Sequence, residues 1–165
     1  MPLMDTINRF RVEKLRRAVT VVLDDGRRLE GEIFLWSRAK ARTTPEEPID
    51  LLNEDEEFFP FFRDGEEMLL LAREHVARVE STAGEDDPEL DFSEMPPGPD
   101  GLMGVEMTLA DGTTLSGFVP LEKRGEQTRL LDFLNSYRKR FIPIFWGEHV
   151  CLVNRHQIAS ISQLT

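Results

Sequence analysis

An internal duplication constrains the fold of this 165-residue chain more than any other feature of its sequence. The pattern V-x-x-x-L-x-D-G-x-x-L-x-G occurs at Val19–Gly31 and again at Val105–Gly117. Three further pairs of segments follow in the same order, separated by 82 or 83 residues: IDLLN and LDFLN, FFPFF and FIPIF, and LAREHVARV and VNRHQIASI. Matched segments in one order indicate a tandem repeat, so we expect the chain to fold as two copies of one small unit.

Each copy has the alternating pattern and the turn residues of short β-strands. Apolar residues alternate from Val19 to Leu23, and a turn at Gly26 follows, where glycine supplies the positive φ of a tight hairpin. Gly31 and Gly117 lie inside the second strand, where glycine marks a bend, a bulge or a close backbone approach. Short, strongly bent strands are what a small barrel requires. The fold class that we predict is therefore mainly β, with two tandem small five-stranded barrels.

The Asp-x-Leu-Asn block and the strand after it carry further local signals. A proline interrupts the third strand of each copy, at Pro60 and Pro143, which predicts an edge strand or a bulged strand because proline cannot donate to a ladder. Asp and Asn before this strand are typical of turns and caps. We therefore expect a structural role for four side chains: Asp50, Asp132, Asn53 and Asn135.

These patterns divide the chain into three segments. Residues 1–80 hold a short N-terminal helix and the first barrel, residues 81–104 form a linker, and residues 105–165 form the second barrel. The helix is predicted from the helical spacing of Met4, Ile7, Phe10 and Lys14. The linker contains seven acids, no base and four prolines, a composition typical of a disordered chain. The alternative is an acidic docking peptide built on Leu90, Phe92 and Met95.

Two segments resemble the Sm-like family. Val19–Gly31 reads V-x-V-x-L-x-D-G-x-x-L-x-G after the predicted helix, which resembles the first Sm-like motif. LVNRHQIASI at Leu152–Ile161 resembles the closing turn and strand of the bacterial Sm-like RNA chaperones. The resemblance implies a barrel of a shape that is also common in SH3-like domains, and a contact with RNA. The counterparts of the family's RNA-proximal residues are Arg155, His156, Asp132 and Asn135.

A second resemblance covers more of each copy. RLLDFLN at Arg129–Asn135, followed by F-I-x-I at Phe141, is similar to an uncharacterised bacterial family of small β domains. That family has no assigned activity. The resemblance therefore implies a fold and no mechanism.

The sequence contains no motif of an enzyme, since it has no phosphate-binding loop, nucleophile elbow or HExxH helix. The one group of ligand-type residues is His149, Cys151 and His156. These residues form either a partial metal site or a structural cysteine beside two surface histidines, and zinc requires three or four ligands. We adopt the second interpretation and expect a protein that is not an enzyme and that holds no cofactor or metal ion.

Composition limits the partners. The net charge of −11 opposes the binding of nucleic acid over the whole surface. The sequence has no apolar run of the roughly 18 to 20 residues that span a bilayer, and its N-terminus has no signal-peptide core. Its single cysteine excludes an internal disulfide. We therefore expect a cytoplasmic protein that does not contact a membrane.

The two copies differ most in charge after the Asp-x-Leu-Asn block. The first copy has an acidic loop, Glu54-Asp55-Glu56-Glu57, and the second has a basic loop, Tyr137-Arg138-Lys139-Arg140. Random drift on a solvated surface explains this difference, because isolated surface charges contribute little. Pairing of the two loops, across the repeats or between neighbouring chains, explains it equally well.

Two functions from different classes suit these features. The first is a non-catalytic adaptor or assembly module that binds protein partners, including copies of itself, through its two diverged barrels. The second is the binding of single-stranded RNA through the basic loop with Arg155 and His156, because an aromatic residue beside a basic cluster suits single strands. We favour the first because most of the molecule would repel a polyanion.

Overall fold

The structure is a computed structural model that describes residues 14–36, 46–63, 67–82, 102–120, 130–146 and 149–164. The strands of the first repeat are β1 (Lys14–Leu23), β2 (Arg28–Trp36), β3 (Phe58–Arg63), β4 (Glu67–Ala72) and β5 (Val76–Thr82). Those of the second are β6 (Leu102–Leu109), β7 (Thr114–Pro120), β8 (Phe141–Trp146), β9 (His149–Asn154) and β10 (Ile158–Gln163). Two short helices, α1 (Pro48–Leu52) and α2 (Leu130–Ser136), precede β3 and β8, and 3₁₀ turns at Arg73–His75 and Arg155–Gln157 precede β5 and β10. The predicted mainly β fold is confirmed.

The ten strands form one antiparallel sheet in the order β10-β6-β7-β8-β9-β5-β1-β2-β3-β4. Each repeat has the same internal order, with its fifth strand beside its first. The sheet is not a closed barrel, which corrects the expectation of two separate closed barrels. The reason is that β5 pairs with β1 on one side and with β9 of the other repeat on the second side. The repeats thus share one sheet.

Both first hairpins turn at the predicted Asp-Gly pair. Gly26 and Gly112 have φ angles of +92° and +89°, a region that glycine enters without steric cost. The carboxylates of Asp25 and Asp111 accept the backbone N–H two residues later, at 3.0 and 2.8 Å. These backbone hydrogen bonds lower the pKa of both carboxyls below its ordinary value. The same turn is therefore built twice.

Gly31 and Gly117 mark a close approach between the second and third strands of each repeat. A Cβ at Gly31 would lie 2.2 Å from the backbone oxygen of Phe62, and one at Gly117 would lie 2.6 Å from that of Phe145. Neither oxygen can move without displacing its strand. Of the three roles predicted for these matched glycines, a close backbone approach is confirmed.

The prolines of the third strands do not lie at an edge of the sheet. β3 and β8 are flanked on both sides, so the edge position that was one prediction for Pro60 and Pro143 is wrong. In the described part of the chain, β2 pairs with β3 only at Phe62 and Arg63, and β7 pairs with β8 only at Phe145. Each proline therefore lies where its strand is paired on one side only, so its missing N–H is needed by at most one ladder.

The Asp-x-Leu-Asn block forms the short helices α1 and α2, where the sequence predicted turns. Asp50 lies in the first turn of α1 and accepts the backbone N–H of Glu47 at 2.9 Å, as in a capping box. Its predicted capping role is confirmed. Asp132 lies in the first turn of α2 and is exposed.

The strands extend into the predicted linker from both sides. β5 ends at Thr82 and β6 begins at Leu102, so the first repeat continues beyond residue 80 and the second begins before residue 105. The predicted helix cannot include Lys14, which begins β1. Its other residues, and the docking peptide predicted within residues 83–101, lie outside the described residues.

Two apolar clusters form the core, one for each repeat. The cluster of the first repeat also contains Phe141 and Leu152 from β8 and β9, which are 0% and 2% exposed. The opposite face of the same two strands, with Ile142 and Val153, belongs to the cluster of the second repeat. Both faces of β8 and β9 are thus buried, which explains why these strands have apolar residues on both faces.

Candidate functional site

The contact between the repeats, here called the junction, is built on the β5–β9 ladder. It runs from Arg78 opposite Val153 to Thr82 opposite His149. Arg78 is buried, and its Nη1 lies 4.0 Å from a carboxylate oxygen of Asp111 in the second repeat. A main-chain ladder, an apolar cluster and a charge contact thus join the two copies.

Glu80 of β5 accepts hydrogen bonds from two arginines at the edge of the junction. Arg28 Nη2 donates to it at 2.9 Å and Arg78 Nε at 3.2 Å. Burial raises the pKa of Glu80, but these hydrogen bonds outweigh burial and hold the pKa below its ordinary value. The carboxylate therefore stays charged at neutral pH and holds Arg78 in place.

Two asparagines complete the junction through backbone groups of the opposite repeat. Asn53, which ends α1, accepts the N–H of Phe141 at 2.8 Å and donates to its carbonyl at 3.3 Å. Asn154, which is fully buried at the end of β9, donates to the carbonyl of Val76 at 3.0 Å. Buried backbone groups need such partners, so both amides have structural roles.

The acidic loop and the basic loop adjoin one another at the junction. Asn53 directly precedes Glu54, and Phe141 directly follows Arg140, so the Asn53–Phe141 hydrogen bonds bring these loop ends together. Arg73 Nη2 lies 3.6 Å from Glu54 Oε2. Burial lowers the pKa of Arg73, and the charge of Arg140 lowers it further. The ends of the two loops therefore lie close together, while Glu54 itself pairs with Arg73 of its own repeat.

Arg73 is a structural residue that the sequence did not reveal. It is fully buried, and its guanidinium donates to the backbone carbonyls of Glu56, Phe58 and Leu51 at 2.5, 3.0 and 2.9 Å. The arrangement fixes the end of α1 and the start of β3. The feature of the sequence that could have indicated this role is the matching arginine at the same place in the second repeat, Arg155.

Arg155 has the same role, although the sequence pointed to RNA. Its Nη2 donates to the carbonyl of Leu134 at 2.8 Å, and its Nη1 donates to that of Tyr137. The backbone N–H of Arg155 also donates to the carbonyl of Arg140 at 2.8 Å, as that of Arg73 does to Glu57. The guanidinium is thus directed into the protein.

The other candidate residues of the basic loop separate into two groups. Tyr137 is half-buried and its hydroxyl donates to the carbonyl of Phe141 at 2.9 Å, while burial raises its pKa. Arg138 and Lys139 are exposed, and so is His156 on the 3₁₀ turn after β9. The acidic loop is exposed to a similar degree: Glu54 is half-buried, and the other three side chains are exposed (Asp55, Glu56 and Glu57).

The three ligand-type residues of the second repeat do not form a metal site. Cys151 packs against the second core, and burial raises the pKa of its thiol to about 12. The thiol is therefore protonated at neutral pH, whereas metals and electrophiles need the thiolate. Among the described residues, no group of three His, Cys, Asp or Glu side chains could hold a metal ion.

Two clefts flank the junction. One, of about 430 Å³, is lined by Arg17, Asp50, Asn53, Tyr137 and Lys139 among others. The other, of about 690 Å³, lies between β1, β7 and β9 and is lined by Glu80, Trp146 and His149 among others. Cys151 also lines the larger cleft, but burial keeps its thiol protonated at neutral pH.

The opposite end of the sheet has an exposed apolar surface, here called the outer face (Phe58, Met68 and Leu70). These side chains are 55%, 55% and 63% exposed. They lie on one face because Phe58 is opposite Ala72, Leu70 is opposite Pro60, and Met68 is opposite Phe62 in the β3–β4 ladder. The other face of the two strands covers the first core. A clustered, exposed apolar surface is typical of an interaction site.

Within the described residues, no helix is long and apolar enough to cross a membrane. Comparison of the chain with protein-family models, with curated proteins and with solved structures gives no match. The assignment of function therefore rests on the junction and the outer face.

Proposed function

We propose that the chain is a non-catalytic assembly module that binds protein through its two diverged β repeats. The observation that carries this proposal is the outer face, in which three large exposed apolar side chains lie on β4, an edge strand of the described sheet, and on its neighbour β3. An exposed strand edge can add a strand from another protein, and the neighbouring apolar side chains supply the burial that stabilises it.

A comparison of the two repeats supports this proposal, because the equivalent surface of the second repeat is buried in a contact. By the repeat offset, Phe58 and Leu70 correspond to Phe141 and Leu152. The second pair is buried against β5, whereas the first pair is exposed. Residues of one type in one position thus form an interface in one repeat and a free surface in the other. The same strand order in both repeats also supports a strongly bent unit of Sm-like or SH3-like character.

RNA binding is the second candidate, and the side-chain contacts favour it less. Of its six residues, Tyr137 and Arg155 are engaged with backbone carbonyls. Arg138, Lys139 and His156 remain exposed, but the net charge of −11 opposes a polyanion. We expect fluorescence anisotropy with a mixed-sequence single-stranded RNA to show no binding at moderate salt. Binding that Arg138→Glu with Lys139→Glu abolishes would favour the RNA candidate.

Photo-crosslinking in the native cells tests the assembly module directly. A benzoylphenylalanine at Leu70 is expected to form covalent adducts with protein on irradiation. The matched control places it at Trp146, which is 71% exposed but lies outside the outer face. Adducts at Leu70 alone would support the proposal. No adduct at Leu70, or equal amounts at both positions, would contradict it.

A further inference from the structure

The two edge strands of the described sheet are the repeat counterparts of the two strands that pair at the junction. In the junction, β5 of the first repeat pairs with β9 of the second. The first-repeat counterpart of β9 is β4, and the second-repeat counterpart of β5 is β10. β4 and β10 are the two edge strands of the described sheet. The chain therefore presents one half of a junction at each end.

The second repeat has an incomplete core at its edge strand. In β5, Val76 and Val79 are buried, because Phe141 and Leu152 of the other repeat cover them in the first core. Their counterparts in β10, Ile158 and Ile161, are only half-buried, although they pack against the second core. Side chains equivalent to Phe141 and Leu152 would complete this cluster.

The outer face supplies these side chains at the opposite edge. Phe58 and Leu70 are the counterparts of Phe141 and Leu152, and Met68 is the counterpart of Val150, which also packs against the first core. Each edge of the sheet therefore lacks a contact that the opposite edge could provide. An edge that needs apolar cover and an apolar face that needs burial are complementary surfaces.

An exposed polar group lies at the corresponding place of the second repeat. Asn135 is the counterpart of Asn53 in the repeat, but it is exposed and lies in the last turn of α2, whereas Asn53 directly follows α1. Among the described residues its amide has no hydrogen-bond partner, whereas the amide of Asn53 binds the backbone of Phe141. The residue that corresponds to Phe141 is the exposed Phe58. Asn135 of one chain can therefore bind Phe58 of another.

The charges agree with the same contact. At the junction, the acidic loop after Asn53 adjoins the basic loop before Phe141. In a contact between chains, the basic loop after Asn135 would adjoin the acidic loop before Phe58. Opposite charges then meet at both kinds of contact, which two identical repeats could not achieve.

We propose that the chain assembles head to tail with copies of itself, by antiparallel pairing of β4 of one chain with β10 of the next. This inference rests on the proposed function and names its partner, a second copy of the chain. The junction register, transferred by the repeat offset, places Ile161 opposite Leu70 and Gln163 opposite Met68. Such a contact is heterologous, so it forms a closed ring or an open filament.

Sedimentation velocity on the purified full chain tests the assembly. A β4 variant (Met68→Lys with Leu70→Lys) and a β10 variant (Ile161→Lys) each retain one intact edge. We expect the wild type to exceed the mass of two chains and each variant alone to be monomeric. A mixture of the two variants is expected to form a 1:1 dimer and nothing larger, because only one compatible pair of edges remains.

Asn135→Ala provides a second variant at an exposed position, in case Ile161→Lys does not fold. It is expected to weaken the association about tenfold through the loss of two hydrogen bonds. A wild type that stays monomeric at about 100 μM, or a dimer that only the β4 variant disrupts, would overturn the head-to-tail contact. A monomer whose Leu70 position cross-links to another protein in cells would leave the proposed function standing.

Discussion

The side-chain amide of Asn53 satisfies both backbone polar groups of Phe141, a residue 88 positions away in the other repeat. Phe141 is fully buried and begins β8, so its N–H and carbonyl have no access to water. Because an unpaired buried backbone group is costly, the amide fixes where the second repeat begins its third strand. It also brings the oppositely charged loops together.

Asn53→Ala tests this contact. The substitution leaves a buried N–H without its acceptor, and we expect the free energy of unfolding to fall by about 2 kcal/mol. Asn135→Ala is the matched control, because its amide has no partner among the described residues of a single chain. Urea denaturation of both, in the Leu70→Lys background to exclude contacts between chains, should separate them. Equal losses would contradict the assigned role of Asn53.

Arg73→Met is expected to destabilise the first repeat strongly. The substitution keeps most of the volume but removes every donor to three backbone carbonyls, so we expect a loss of about 4 kcal/mol. Arg155→Met removes two such contacts at a half-buried position and should cost about half as much. Thermal or urea unfolding measures both, and a larger loss at Arg155 would argue against this ranking.

Gly31→Ala is expected to destabilise the chain by roughly 3 kcal/mol, because the new Cβ would meet a backbone oxygen at 2.2 Å. Gly104→Ala is the control, since its Cβ would find ordinary contacts at 3.6 Å or more. Gly117→Ala, with a contact at 2.6 Å, should also be destabilising. If Gly31→Ala melts within a degree or two of Gly104→Ala, the close crossing of β2 and β3 is not present in solution.

The ion pair of His75 with Asp24 predicts a pH effect. Nδ1 lies 2.8 Å from Asp24 Oδ2, and this hydrogen bond, with the charge of Asp24, raises the pKa of His75 above its ordinary value of 6.5. Because the folded pKa is the higher one, the contact stabilises fully below about pH 6.5 and is lost as the pH rises through the folded pKa. Asp24→Asn should return the pKa towards 6.5 in an NMR titration of the ring. An identical pKa in both proteins would rule out the contact.

The sequence identified the elements of each repeat but not the way in which the repeats combine. Turn glycines, matched strands and the capping of α1 by Asp50 are local features, and the structure contains them. The pairing of β5 with β9 is not local, and the sequence pattern treats Leu70 and Leu152 as equivalent although one is exposed and the other buried. Burial here depends on which strand lies alongside, so no periodicity could reveal it.

Arg155 shows a second limit of the same kind. A basic residue before the last strand is read as a surface charge, yet its guanidinium binds the carbonyls at the end of α2. A residue type indicates which contacts are possible. The partners that the fold brings within reach determine which contacts form.

A cleavage experiment tests most directly whether the two repeats form one sheet. A specific protease site is inserted within residues 83–101 of the Leu70→Lys variant, the chain is cut, and the products are examined by size-exclusion chromatography with light scattering. If β5 and β9 pair as described, the fragments with residues 1–82 and 102–165 remain a 1:1 complex without denaturant. Two folded fragments that separate on the column would show that the repeats are independent domains and would contradict the junction.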